Sequence, residues 1–527
     1  MRRHLKVVAV VVALGLGAVA CSDDNGGSSS EDTTAATEET TTADTTATAD
    51  TTAAPAAGGE IMIALGSEPT SLDPQLVDDG GERAINDNVY ETLLVRNANG
   101  ELEPGLAAEM PTQIDDTTWQ VKLREGVKFH DGSDFNADAV VATVTRMAKL
   151  IADGKTDNDG FFKSFVSAEA VDPLTVNIKT ADKDGVVPSR LYWMKIIPAS
   201  AAESADMSET VVGTGPYKLA SREKGVNIVL EANADYWGGK PALDKVTYEF
   251  IDDSATRLAG LKSGKYHVIT NLAPQDAEQA PKVLTAQGQE HPVLILDADE
   301  GITADVNVRK ALNHAVDKQA IADTLFGGYA TIDLGQLLSP SILGHNETLS
   351  AYEYNPEEAK KMLEEAGVAG KTIQLVGESG RWLKDKELLE AVAGYWKEAG
   401  LDVKLEILEF GAYLDVLFDR DNRADAIYVS SSNDILDPDR QLSTYYQAGG
   451  IGSSNSDKAL SDLVTQGRAE LDPAKRETIY EEAVKIAYDN AYFVWLVNNQ
   501  DIYGAAENLV WTPRVDSKLL VKEMSLG

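Results

Sequence analysis

Apolar residues along the C-terminal half of the chain repeat in two alternating rhythms. From Asp385 to Ala399, Leu388, Leu389, Val392 and Trp396 fall at helical spacing, and Gly400 stops the run. Leu401, Val403, Leu405 and Ile407 then alternate with polar residues, as a half-buried strand requires. Upstream, Asn355-Pro356 supplies an N-cap and a first-turn proline, EEAKKMLEEA is a good helix former, and Gly367 closes it. Asp472-Pro473 opens another helix, with Ile479, Ala483, Val484 and Ile486 on its apolar side. The run AYFVWLV (491–497) follows, with the length and aromatic content of a strand buried on both faces. Helices alternating with buried strands predict an α/β lobe with a largely parallel sheet.

The N-terminal half reads as more strand-rich. TWQVKL (118–123), LTVNIK (174–179), VNIVL (226–230) and VTYEFI (246–251) carry strand patterning between Gly, Pro and Asp turns. A helix is predicted near 137–149, capped by Asn136. Another is predicted over about 306–326, with Val308, Leu312, Ala315, Val316 and Leu325 facing inward. No solenoid-type repeat is present.

The first 59 residues have a different composition. Arg2, Arg3 and Lys6 precede an apolar run from Val7 to Ala20, and small residues lead into Cys21, the one cysteine of the chain. This is the order of an export signal. A lone thiol cannot form an internal disulfide, so its expected use is as a lipidated N-terminus. The segment resembles a bacterial lipoprotein lipobox, with Ala18 where Leu is usual. Residues 22–59 contain no aromatic residue and no Ile, Leu, Val or Met, and they carry eight acidic groups and no basic one. Such a segment cannot offset its chain entropy by burial and is expected to be a disordered tether of roughly 30–40 Å. The apolar run is short for a spanning helix, so an anchored protein is expected rather than a membrane-spanning one.

The remaining 470 or so residues exceed one typical domain and suggest two or three lobes. Loss of the leader's three basic groups takes the formal charge from −38 to about −41. That argues against nucleic acid and anionic membrane as partners of the folded part.

Catalytic signatures are absent or weak. There is no HExxH, GxSxG or Walker A pattern. Ser221 and Lys224 form an S-x-x-K pair without the partner motifs of penicillin-recognising enzymes. The six histidines are scattered, so no metal or cofactor is expected. An exported, tethered α/β protein without catalytic machinery fits a binding protein better than an enzyme.

Several segments occur in the order found in one family: SEPTSLDP (67–74), YETLLV (90–95), GELEPGLAAEM (100–110), LREGVKFHDGSDFNADAV (123–140), VGTGPYKL (212–219), NADYWGGKPALDKVTYEFI (233–251), VRKALNHAVDKQAI (308–321), YNPEEAKKMLEEAG (354–367) and GRWLKDKELLEAVAGYWKEAGLDV (380–403). On these the chain resembles the family 5 extracellular solute-binding proteins, receptors of peptide and nickel ABC transporters. The resemblance implies an α/β, two-lobed periplasmic-binding-protein-like fold (type II, cluster C) with an extra N-terminal subdomain. The expected plan is a lipoprotein signal peptide (1–20), a tether (21–59) and lobe I (60–295) with an inserted subdomain at about 89–205. Lobe II (296–497) and a C-terminal return to lobe I (498–527) complete it. GVKFHDG is expected to form a tight hairpin, and GTGPY a bend near the lobe crossover.

The resemblance also implies ligand contacts. In peptide-binding members an Asp just before an Asp-Pro pair holds the ligand ammonium, and Asp434 in YVSSSNDILDPDR (428–440) falls there. It follows a strand-like segment, where open α/β sheets bind ligands. Arg381 is the candidate for the ligand carboxylate, since a guanidinium pairs with it in bidentate fashion, with a salt bridge to Asp385 as the structural alternative. Trp382, Tyr445 and Trp495 are candidate cleft walls. Asp79 and Gly80 lie in the loop where the family brings backbone to its ligand. Peptide binders often carry an aromatic residue where this chain has Ser431, within Ser430-Ser431-Ser432-Asn433, and a small polar wall of Ser431, Ser432 and Asn433 suits a bulkier or more hydrophilic ligand. The expectation is a non-enzymatic, monomeric, extracytoplasmic receptor, lipid-anchored through Cys21, that closes over a small peptide and delivers it to ABC permease subunits. Alternatives are a receptor for an oligosaccharide, opine or nickel complex, and an exported serine hydrolase using Ser221 and Lys224.

Overall fold

A computed structural model describes residues 58–419 and 423–527. The leader, Cys21 and nearly all of the tether lie outside the described residues. Two sheets organise the rest. The first has eight strands, and its main path runs Lys282–Gln287, Val497–Ala505, Val268–Ile269, Glu60–Leu65, Lys245–Phe250, Asn227–Ala232 and Tyr217–Glu223. Ala330–Ile332 joins through Val497–Ala505. The second runs Asp402–Leu408, Thr372–Glu378, Ala426–Ser431, His291–Leu296 and Phe493–Trp495. Only its first three strands are parallel. His291–Leu296 is antiparallel to both its neighbours, so the sheet is mixed rather than largely parallel.

Alternation between two covered faces explains why the neighbouring strands His291–Leu296 and Phe493–Trp495 read as nearly continuous apolar runs. Leu294 and Val494 enter a core with Leu388, Val392 and Trp396 from the helix Asp385–Glu398. Val293, Ile295, Phe493 and Trp495 enter the opposite core, with Tyr480, Ala483 and Val484 from the helix Pro473–Asp489. Both faces are covered, so 293–296 and 493–495 carry apolar side chains at every position. Each fully buried side chain of this size contributes about 1.5–3 kcal/mol.

A four-stranded antiparallel sheet, built from Thr112–Asp115, Thr118–Lys122, Thr175–Thr180 and Phe165–Asp172, forms a third unit. It packs with the helix Ala137–Ala152 around Trp119, Val140 and Phe162, a core separate from that of the eight-stranded sheet.

Local signals place most boundaries. The side chains of Asn136, Asn355 and Asp472 cap their helices as the sequence indicates. The expected helix over 306–326 is interrupted. Val306–His314 ends, and the chain turns at 315–317. Asp317 then caps a new start that loosens into a π-turn at Ile321–Leu325. The buried run 491–497 is also two elements: Phe493–Trp495 belongs to the second sheet, and after Leu496 the strand Val497–Ala505 joins the first. The chain passes between lobes there and again at 288–290. The two crossings are bonded together, Asn499 N–H donating to the Glu290 carbonyl at 3.1 Å and Gly288 N–H to the Asn499 carbonyl at 3.0 Å.

GTGPY packs against the end of the helix Gly80–Val89, with Gly215 N–H donating to the Val89 carbonyl at 2.9 Å. A Cβ on Gly213 would lie 2.0 Å from the Val89 carbonyl oxygen, so glycine lets this segment pack on the end of the helix Gly80–Val89.

Candidate functional site

A cavity of about 670 Å³ opens between the lobes. Its wall combines Gly80, Arg83 and Asp87 from the helix Gly80–Val89 with Arg381, Trp382, Asp434 and Arg440 from the second lobe, and with Gln289, Glu290 and Asp501 at the crossings. The volume is that of an ordinary small-ligand site.

The helix Gly80–Val89 is fixed by its cap. Asp79 accepts from Glu82 N–H at 2.7 Å and from the Thr70 hydroxyl at 2.8 Å. Asp79 is therefore committed to capping, while Gly80, with open space around it, forms the cavity wall. One turn on, Arg83 extends across the cleft. Its Nε and Nη2 donate to the two carboxylate oxygens of Asp78 at 2.8 and 2.9 Å. Its Nη1 donates to Asp434 Oδ1 at 2.8 Å. Arg83 also lies 4.9 Å from the Trp193 ring centroid.

Asp434 thus already holds a cation, and one supplied by the opposite lobe. Burial would raise its carboxyl, but Arg83 and Arg440 hold it below the usual range. Arg440 approaches only to 4.0 Å. Its Nε is buried without a partner, and the guanidinium lies over the Phe161 ring. Arg440 is a cleft cation that the sequence reading missed; its place two residues after the Asp-Pro pair was the available signal.

Arg381 is in the wall and 52% exposed, with its Nε 3.7 Å from Glu378. The alternative pairing with Asp385 is not formed: that carboxylate instead accepts the backbone N–H groups of Gly380, Arg381 and Trp382. Ser432 and Asn433 are in the wall. The Asn433 amide is tied to the Asp437 carbonyl and to Gln441. Ser431 is fully buried and accepts from Gln441, so it is behind the wall rather than in it. Trp495 is 1% exposed and belongs to the lobe core, stacked on Tyr352 at 6.0 Å, which corrects its expected place in the cleft. Tyr445 packs against the same core as a partly buried residue. Both faces of its strand are covered, and alternation puts Trp495 with Phe493 in the core shared with Tyr480 and Val484.

Asp437 differs from Asp434 although it is three residues away. Arg476 of the same lobe pairs with both its oxygens at 2.7 and 2.9 Å, and Ser189 donates at 3.0 Å. It caps the short helix Pro438–Gln441 and is a turn and packing residue.

At the crossings the charges are of the other kind. Glu290 accepts from the Ser430 hydroxyl at 3.3 Å, and Asp501 from Ser517 at 2.5 Å. Neither forms an ion pair among the described residues. Burial, then the neighbouring Asp501, pushes the Glu290 carboxyl up to about 7. Burial raises Asp501 as well.

Residues 101–453 match the family described as bacterial extracellular solute-binding proteins, family 5 Middle. The chain belongs to that family. Among curated relatives, it is 26% identical over 472 residues to the glutathione-binding protein GsiB of Escherichia coli O1:K1 / APEC, covering 86% of this chain and 91% of the relative. It is 26% identical to the dipeptide-binding protein of Escherichia coli K12, covering 80% and 86%. Among solved structures, the DppA periplasmic binding protein of Helicobacter pylori in complex with the peptide STSA superposes with a TM-score of 0.72 at 25% identity, covering 89% of this chain and 98% of that one. This family member is accordingly the substrate-binding component of an ABC importer and not an enzyme. Ser221, within the strand Tyr217–Glu223, and Lys224, just beyond it, are both exposed. Among the described residues no helix is long and apolar enough to cross a membrane.

Proposed function

We propose that this receptor captures short peptides and hands them to a membrane permease. The observation that carries the reading is a cavity of small-peptide size whose walls, contributed by both lobes, hold a carboxylate (Asp434) and two guanidinium groups without a close ion-pair partner (Arg381 and Arg440). A zwitterionic ligand needs opposite charges at its two ends, because a buried unpaired ion is costly. The ligand ammonium takes Asp434 by exchanging with Arg83, which keeps its two bonds to Asp78 and so is not stranded. The carboxylate takes Arg381, with Arg440 alongside. Trp382 packs on the ligand, and Gly80 offers it backbone. Relatives named for glutathione and dipeptide binding support this ligand class.

The lobes close as a hinge about the crossings at 288–290 and 496. One chain supplies the whole cavity, so a monomer suffices. Lipid on Cys21 and the acidic tether hold the receptor on the outer side of the membrane, beside its permease. Cys21→Ser therefore releases the protein from the membrane fraction and leaves ligand affinity unchanged. Calorimetry with mixtures of di-, tri- and tetrapeptides tests the function. Binding that Asp434→Asn and Arg381→Ala each weaken supports it. Unchanged affinity in both variants removes the two anchors.

A further inference from the structure

The cavity wall holds seven carboxylates and four cations. Two of the four cations are already committed. Arg83 serves Asp78 and Asp434. Lys518 lies 3.5 Å from Asp87, with its ammonium over the Tyr192 ring at 4.5 Å. Acceptors are left over where the chain crosses between lobes.

Three of them share one part of the wall. Glu290 and Asp501 have hydroxyl donors and no cation. Gln289 is 8% exposed, and its amide nitrogen donates to the Val515 carbonyl at 2.9 Å. Its amide oxygen is buried and accepts nothing. An unfilled buried acceptor is costly, so such a group marks a place where a donor is missing. Three acceptors lining one end of a ligand cavity call for a group that brings several N–H donors and a positive charge.

We propose that Gln289, Glu290 and Asp501 form a subsite at the hinge for a cationic side chain of the ligand, so that the receptor selects basic peptides carrying a second positive group beside the terminal ammonium. The inference rests on the peptide reading above. An ammonium there bridges Glu290 and Asp501 and fills the Gln289 oxygen. Gln289 and Glu290 lie on one crossing segment and Asp501 on the first-sheet strand that follows the other, so the ligand's cation bonds beside the elements about which the lobes turn.

The electrostatics agree with this geometry. Asp501 and Asp434 face Glu290 with like charge, and Arg381 opposes them more weakly. With its carboxyl near neutrality at about 7, Glu290 is partly protonated at pH 7. A cation placed beside it draws the carboxyl down and expels that proton.

Calorimetry of the full chain with Ala-Lys-Ala and its uncharged counterpart Ala-Nle-Ala tests the subsite. The expected result is at least about tenfold tighter binding of the lysine peptide, as one charge-assisted contact provides. Its binding enthalpy at pH 7 should also depend on the buffer, through release of about half a proton. Glu290→Gln with Asp501→Asn should narrow the ratio between the two peptides; because the ratio is measured on wild type first, it stands even if that variant folds poorly. Equal affinities for the two peptides overturn the subsite and leave the peptide reading intact. Binding of neither peptide overturns both.

Discussion

Two carboxylates face the same cavity, and their surroundings differ in one respect. Asp434 has a guanidinium on it from the opposite lobe and a second one nearby. Glu290, on a crossing segment, has a hydroxyl and a neighbouring acid. Burial raises both; in Asp434 the cations more than offset it, and in Glu290 nothing does. Burial alone therefore does not show which acid awaits a ligand. The partner already present distinguishes them: a ligand ammonium must displace Arg83 to reach Asp434, whereas at Glu290 there is no cation to displace.

The comparison breaks most visibly if Arg83 is removed. Arg83→Met leaves Asp434 and Asp78 in the position of Glu290, and should cost about 2–4 kcal/mol, read as a fall in Tm. Adding Asp434→Asn should recover part of that loss. A single variant as stable as wild type shows that the cross-cleft pair carries no net stability.

A smaller effect of opposite sign is expected at the crossing. Glu290 has a folded pKa above its unfolded value, so its stabilising contribution is complete below about 4.5 and is lost as pH rises toward 7. Glu290→Gln should be more stable than wild type by about 1–3 kcal/mol at pH 8. The gain should vanish near pH 4.5. Asp434 runs the other way: its lowered carboxyl contributes stability above the ordinary carboxylate range, lost as pH falls through the lowered pKa. Thermal melts from pH 3 to 8 separate the two.

The smallest stability change belongs to Arg381→Ala. The side chain is half exposed and 3.7 Å from Glu378, so the change should stay within about 0.5 kcal/mol. Peptide affinity should fall about tenfold all the same. An equal loss of stability and affinity would make Arg381 a structural residue.

Much of the fold was legible because capping residues and apolar periodicity are local. Asn136, Asn355 and Asp472 announce their helices without help from the rest of the chain. Strand direction is not local, and the antiparallel placing of His291–Leu296 within the second sheet was invisible. The run 491–497 shows the same limit: apolar pattern marks burial, but not that Leu496 separates two sheets. In the site, a family motif pointed to Asp434. Its partner Arg83 is 351 positions away, on a helix whose sequence shows no sign of a cross-cleft contact. Trp495 was misplaced because an aromatic in a two-sided buried strand reads the same whether it faces core or cleft. Gln289, Glu290 and Asp501 carry no motif; only the meeting of two crossing segments brings them together.

The most direct test is native mass spectrometry of the protein purified without refolding, with fragmentation of whatever it retains. The account predicts a non-covalent adduct that yields amino acids, Lys or Arg among them, and that added Ala-Lys-Ala displaces. An adduct of another chemical class that no peptide displaces would contradict it.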